Sequence, residues 1–137
     1  MILKTNNLTI GYGEKAVQRG LNLEAQERDL ICLTGTNGSG KSTLLRTLAG
    51  LQHALNGKVM IADKDIASLN VHQRSTLFSL VLTDDIDIER LTVRELVAMG
   101  RFPYTNWAGA LSDNDYKIID KALQDVHLAH KADAMIN

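Results

Sequence analysis

The stretch Gly35-Thr36-Asn37-Gly38-Ser39-Gly40-Lys41-Ser42-Thr43 constrains this chain more than any other. It fits the pattern G-x-x-x-x-G-K-[ST], in which glycines let the backbone turn so that successive amide N–H groups point inward at phosphate oxygens. Lys41 supplies a charge for the outer phosphates, Ser42 a hydroxyl for Mg²⁺, and the helix that starts here adds the positive end of its dipole. The apolar run Leu30-Ile31-Cys32-Leu33 reads as a buried strand leading into the loop, and Leu44, Leu45, Leu48 and Ala49 follow at helical spacing. A flexible glycine-rich turn is the alternative, and this strand–loop–helix context weighs against it.

Charge and composition then narrow the partners. The 137 residues carry a formal net charge of −1 with Lys and Arg scattered, so no basic footprint for nucleic acid is present. One cysteine, Cys32, falls in the apolar run, which excludes an internal disulfide and suggests a small buried hydrophobe in a reducing compartment. No apolar run approaches the roughly 18 residues of a membrane-spanning helix, so any membrane association is expected through a partner.

In chain order, Leu8, Ile10 and Tyr12, and then Leu21, Leu23 and Ala25, alternate as strands of a small antiparallel sheet. The helix after Lys41 is expected to stop at Gly50, and Gly57 to open a strand through Val59 and Ile61, with Asp63-Lys64-Asp65 as a turn. Val71 to Phe78 reads as a short helix, Leu80-Val81-Leu82 as a buried strand, and Asp84-Asp85-Ile86-Asp87 as an acidic loop. Thr92 with Glu95 caps a helix that Gly100 ends, and a loop holding Phe102, Pro103, Tyr104 and Trp107 follows. Ser112 or Asp113 caps a last long helix ending near His127, and the tail starts another short helix.

Three further groups admit two readings each. Tyr12, at a strand end, can stack on a purine or simply pack. Asp84 or Asp85, after an apolar strand, can hold Mg²⁺ as P-loop enzymes do, or form a solvated turn. His53, His72, His127 and His130 fall on separate elements without cysteines, which argues against a metal site.

Taken together, the chain resembles the ATP-binding subunit of ABC transporters, in the branch that powers importers of iron–siderophore complexes, haem and cobalamin. The resemblance spans the whole chain. It rests on Tyr12 in Gly-Tyr-Gly, the loop from Thr36 to Thr43 with Leu44-Leu45 and Leu48-Ala49-Gly50-Leu51 after it, and the Gly57 strand. Above all it rests on Leu91-Thr92-Val93-Arg94-Glu95-Leu96-Val97 and Gly100-Arg101-Phe102-Pro103-Tyr104. It implies an α/β P-loop NTPase fold of the ABC ATPase type, incomplete, as a single partial domain over residues 1–137. An N-terminal antiparallel β-subdomain and phosphate-loop core would fill about residues 1–90, and the start of a helical subdomain about 91–137.

The resemblance also implies roles. Tyr12 would stack on adenine, and Gly35, Thr36, Asn37, Gly38, Ser39, Gly40, Lys41, Ser42 and Thr43 would bind ATP, with Ser42 on Mg²⁺. The segment leading into the helical subdomain would face a membrane-spanning permease subunit, and a second ATP-binding subunit would complete a head-to-tail dimer on the cytoplasmic face of the membrane. The sequence ends before the places where the family carries its LSGGQ-type signature, Walker B strand and switch His, so these residues are expected to bind Mg-ATP without turning it over. Thr83 stands where the family usually has the Gln of the Gln loop and is the candidate there. Thr36 replaces a usual Pro and Arg28 a common turn Gly. The competing readings are a small-molecule P-loop kinase using Asp84 or Asp85 for its metal, although no lid arginines follow Arg101, and a non-catalytic ATP-binding module. A GTPase would need an Asn-Lys-x-Asp motif that the sequence lacks.

Overall fold

The computed structural model describes residues 2–81 and 90–136. They fall into two compact units, Met1–Leu80 and Val81–Asn137.

The first unit is built on strand β1 (Leu3–Tyr12), which pairs antiparallel with β2 (Lys15–Leu21), β3 (Glu24–Ala25) and β4 (Asn56–Ile61). The two-residue turn Gly13-Glu14 joins β1 to β2 by pairing Tyr12 with Lys15. Ala62 and Asp63 join β4 to β5 (Lys64–Asp65) with φ of 46° and 61°, the backbone that a two-residue hairpin loop demands. The expected turn at 63–65 is therefore one residue earlier, and Lys64 and Asp65 pair with β4 because the tight loop returns the chain directly onto its partner. Where β2 passes into β3, the buried Thr5 hydroxyl donates to the Leu21 carbonyl and accepts from the Leu23 N–H, both at 2.9 Å.

Helix α1 (Lys41–Leu48) packs Leu44 onto Leu8, Ile10, Val59, Ile61 and Ile66. It ends where expected: Gly50, at φ 64°, donates to the Thr47 carbonyl and Leu51 to that of Arg46, the paired bonds of a Schellman stop. A short helix, α2 (Val71–Ser75), starts in a reciprocal cap between Asn70 and Gln73, and Arg74 reaches back to the Gly50 carbonyl at 2.5 Å.

Among the described residues, two expected strands do not form. Leu30 to Leu33 forms no strand, with Leu30 fully exposed and Cys32 exposed, and Phe78 to Val81 forms none either. Leu82 lies outside the described residues. An apolar run reads as a buried strand because a central parallel strand is covered on both faces, yet the run becomes one only when strands pair with both its edges. Among the described residues nothing pairs with either run. Cys32 is exposed for the same reason, since its burial depends on a strand forming there.

In the second unit, α3 (Val93–Met99) and α4 (Asp113–Asp125) bury Ile119 and Leu123 against Val93 and Val97, with Ala132 from the returning tail. Both helices open in capping boxes: Thr92 with Glu95, as expected, and Ser112 with Asp115, which makes Ser112 and not Asp113 the cap of α4. Asp115 is buried, and its carboxyl is held down to about 2, first by the Ser112 hydroxyl at 2.6 Å, then by the Ser112 N–H at 2.9 Å and by the Arg101 guanidinium at 2.8 Å. Arg101 in turn lies over the Tyr104 ring, 4.1 Å from its centre.

Because the folded carboxyl binds its proton less readily than the unfolded one, its stabilisation is complete above the ordinary Asp value of about 4 and is lost as pH falls through about 2. Asp115→Asn is expected to lower resistance to urea at neutral pH, with the gap from the parent chain closing as pH falls below about 4. A gap that persists unchanged at the lowest pH would contradict this assignment.

Candidate nucleotide-binding site

The loop of residues 35–40, exposed over 35–38 and half-buried at Ser39 and Gly40, leads into α1, and Gly40 is the helix N-cap. Gly40 holds φ 97°, and a Cβ placed there would come 2.7 Å from Val17 Cγ1 on β2. Only glycine accommodates both the left-handed backbone and that approach. No side chain caps the helix start and its first turn has no acidic residue, so the amides of this turn have no side-chain acceptor at the N-cap and the positive end of the helix lies at Gly40. This is the arrangement that welcomes an anion.

The strands hold the loop from behind. Gln18 on β2 donates through Nε2 to the Ser39 carbonyl at 3.3 Å. Lys41 Nζ donates to the carbonyls of Gly35 and Thr36, each at 2.8 Å, which brings the charge of the helix's first residue to the opening of the loop. Thr43, buried in the second half of that first turn, donates from Oγ1 to the Tyr12 hydroxyl at 3.0 Å, and its own carbonyl accepts from Thr47 at 2.8 Å.

The structure thus brings Tyr12, at the end of β1, to the loop's own helix, a contact across 31 positions of sequence. Tyr12 as a residue stays 56% exposed. Ser42 is exposed next to Lys41, and Thr36, Asn37 and Gly38 are exposed as well. Thr83, Asp84 and Asp85 lie outside the described residues. Val17 and Gln18, the two residues that brace the loop, carry no signal in the linear sequence beyond membership of a strand. Their part follows from the pairing of β2 with β1.

A phosphate loop that opens a helix packed on a sheet is the constellation of a P-loop NTPase. The family model described as ABC transporter matches residues 18–137, and the chain belongs to the ABC transporter family. It is 38% identical over 126 residues to an uncharacterized ABC transporter ATP-binding protein of Methanocaldococcus jannaschii, covering 92% of this chain and 43% of that protein. It is 36% identical to the ferric enterobactin transport ATP-binding protein FepC of Escherichia coli, covering 98% of this chain and 50% of the relative. The chain spans about half the length of the curated relatives it matches. Among solved structures, an ATP-binding subunit of an ABC transporter superposes with a TM-score of 0.81 at 22% identity, over 98% of this chain and 54% of that one, which establishes the shared fold. The small-molecule kinase reading finds no support in these matches.

Gly40→Ala is expected to reduce the unfolding free energy of the chain by about 1–3 kcal/mol, through backbone strain and the displaced Val17. Urea denaturation measures it, and an Ala variant as stable as the parent would show that the junction tolerates a side chain.

Proposed function

We propose that this chain contributes the ATP-binding part of the energy-coupling subunit of an importer, with an iron–siderophore complex, haem or a corrinoid as cargo. The observation that carries the reading is the uncapped start of α1: amides without a side-chain acceptor at the N-cap, glycines in left-handed turns, and Lys41 as the cation of the loop. Such a set suits a nucleoside triphosphate, which brings several negative oxygens to one small area. Tyr12, with its ring exposed beside the loop, is the surface for the base. The importer reading and the iron–siderophore member of the cargo class are supported by relatives named for ferric enterobactin transport and petrobactin import.

The donor set also fits Mg²⁺. Ser42 offers a hydroxyl oxygen, the hard ligand that this ion prefers, in the turn that would hold the outer phosphates. When bound, the ion offsets the phosphate charge. On this reading the subunit sits peripherally at the cytoplasmic face of the membrane, held by a permease subunit and paired with a second ATP-binding subunit. Among the described residues no helix is long and apolar enough to cross a membrane, in keeping with attachment through a partner.

Lys41→Ala tests the binding claim. It removes charge-assisted contacts of about 1.5–3 kcal/mol, so Mg-ATP affinity measured by calorimetry is expected to fall by about tenfold to a hundredfold with the circular dichroism spectrum unchanged. Equal affinity in the folded variant would overturn it.

A further inference from the structure

Helix α1 is tied to the β1 terminus at both of its ends. At its start, Thr43 Oγ1 donates to the Tyr12 hydroxyl at 3.0 Å. Just past its end, Gln52 Nε2 donates to the carbonyl of Gly11, the residue before Tyr12. Gln52 is half-buried and is itself fixed by the helix stop, since its N–H shares the Arg46 carbonyl with that of Leu51. Its amide therefore reaches Gly11 from a rigid base.

Gly11 sits where the β1–β2 ladder is irregular: the register slips between Ile10 and Gly11. Bulged ladders leave backbone groups in need of another partner and re-aim the residues that follow them. The site is also closely packed, because a Cβ on Gly11 would lie 2.1 Å from the Lys15 carbonyl oxygen and 2.8 Å from Leu55 Cδ1. A residue in such a slot has one position, and the Gln52 bond closes its carbonyl side.

We infer that Gln52 is a positioning residue for the base of the bound nucleotide: it fixes the backbone beneath Tyr12 so that the exposed ring stands at a set height beside the phosphate loop. The inference rests on the reading of Tyr12 as the base-contacting surface. Gln52 touches no residue of the phosphate loop itself among the bonds described, so its influence should fall on the base and spare the phosphates.

The test compares Mg-ATP with Mg-tripolyphosphate, which offers the phosphates without a base, by calorimetry on the full chain. Tyr12→Ala is expected to weaken ATP by about tenfold and leave tripolyphosphate unchanged. Gln52→Leu, which keeps volume and removes the donor, is expected to weaken ATP by about threefold to tenfold with tripolyphosphate again unchanged. Gln52→Lys restores a donor and should recover parent ATP affinity within about twofold. Added to Tyr12→Ala, Gln52→Leu should cost nothing further. Equal losses for both ligands in Gln52→Leu would overturn the proposal by making Gln52 a support of the fold, as would no loss for ATP. Should Tyr12→Ala leave the ratio of the two affinities unchanged, the base contact itself fails, and the proposal fails with it for that separate reason.

Discussion

The N-cap of helix α1, Gly40, is a position that cannot carry a side chain, and the placing of the loop on the sheet follows from that junction. Gly40 takes a left-handed backbone at the helix start and lies against Val17, a position that a side chain would obstruct. That contact in turn requires β2 to stand beside β1, which the Tyr12–Lys15 turn secures. The sheet is thus a template for the shape of the loop as well as a core for the helix.

Polar groups carry a large part of the work. Thr43 and Thr47 face the sheet from α1, where leucines would add apolar area. Thr47 returns its hydroxyl to the Thr43 carbonyl, which leaves the Thr43 hydroxyl for Tyr12. Thr5 does comparable service at the β2–β3 passage, serving as donor and acceptor at once. Among the described residues no buried side-chain nitrogen or oxygen lacks a partner, so these threonines hold elements together without leaving a desolvated group unpaired.

Features written in neighbouring residues were legible in the sequence. Thr92 with Glu95, Gly50 past Ala49, and a cap at Ser112 or the residue after it mark the boundaries of α3, α1 and α4 because each is completed within a few positions; only the fold selects Ser112 and pairs it with Asp115. Arg28, noted for standing where a turn glycine is common, indeed takes φ 69°. Leu30 to Leu33 and Leu80-Val81 misled, because hydrophobic runs record that a segment is suited to burial while the strands that would bury it are not local to it. Within the candidate site, the glycines and Lys41 are picked out by spacing alone. Val17, Gln18 and Gln52 were not, since each acts through a strand register or a helix stop that only the folded chain displays.

The central claim is that the open amides at the start of α1 receive the phosphates of a nucleotide. Titrating Mg-ATP into the isotopically labelled chain and following each backbone amide by nuclear magnetic resonance tests it directly. The account predicts that the amides of Gly38, Gly40, Lys41, Ser42 and Thr43 move most and saturate together, with the interior of α4 unmoved. Saturable shifts gathered elsewhere, with those five amides unchanged, would contradict it.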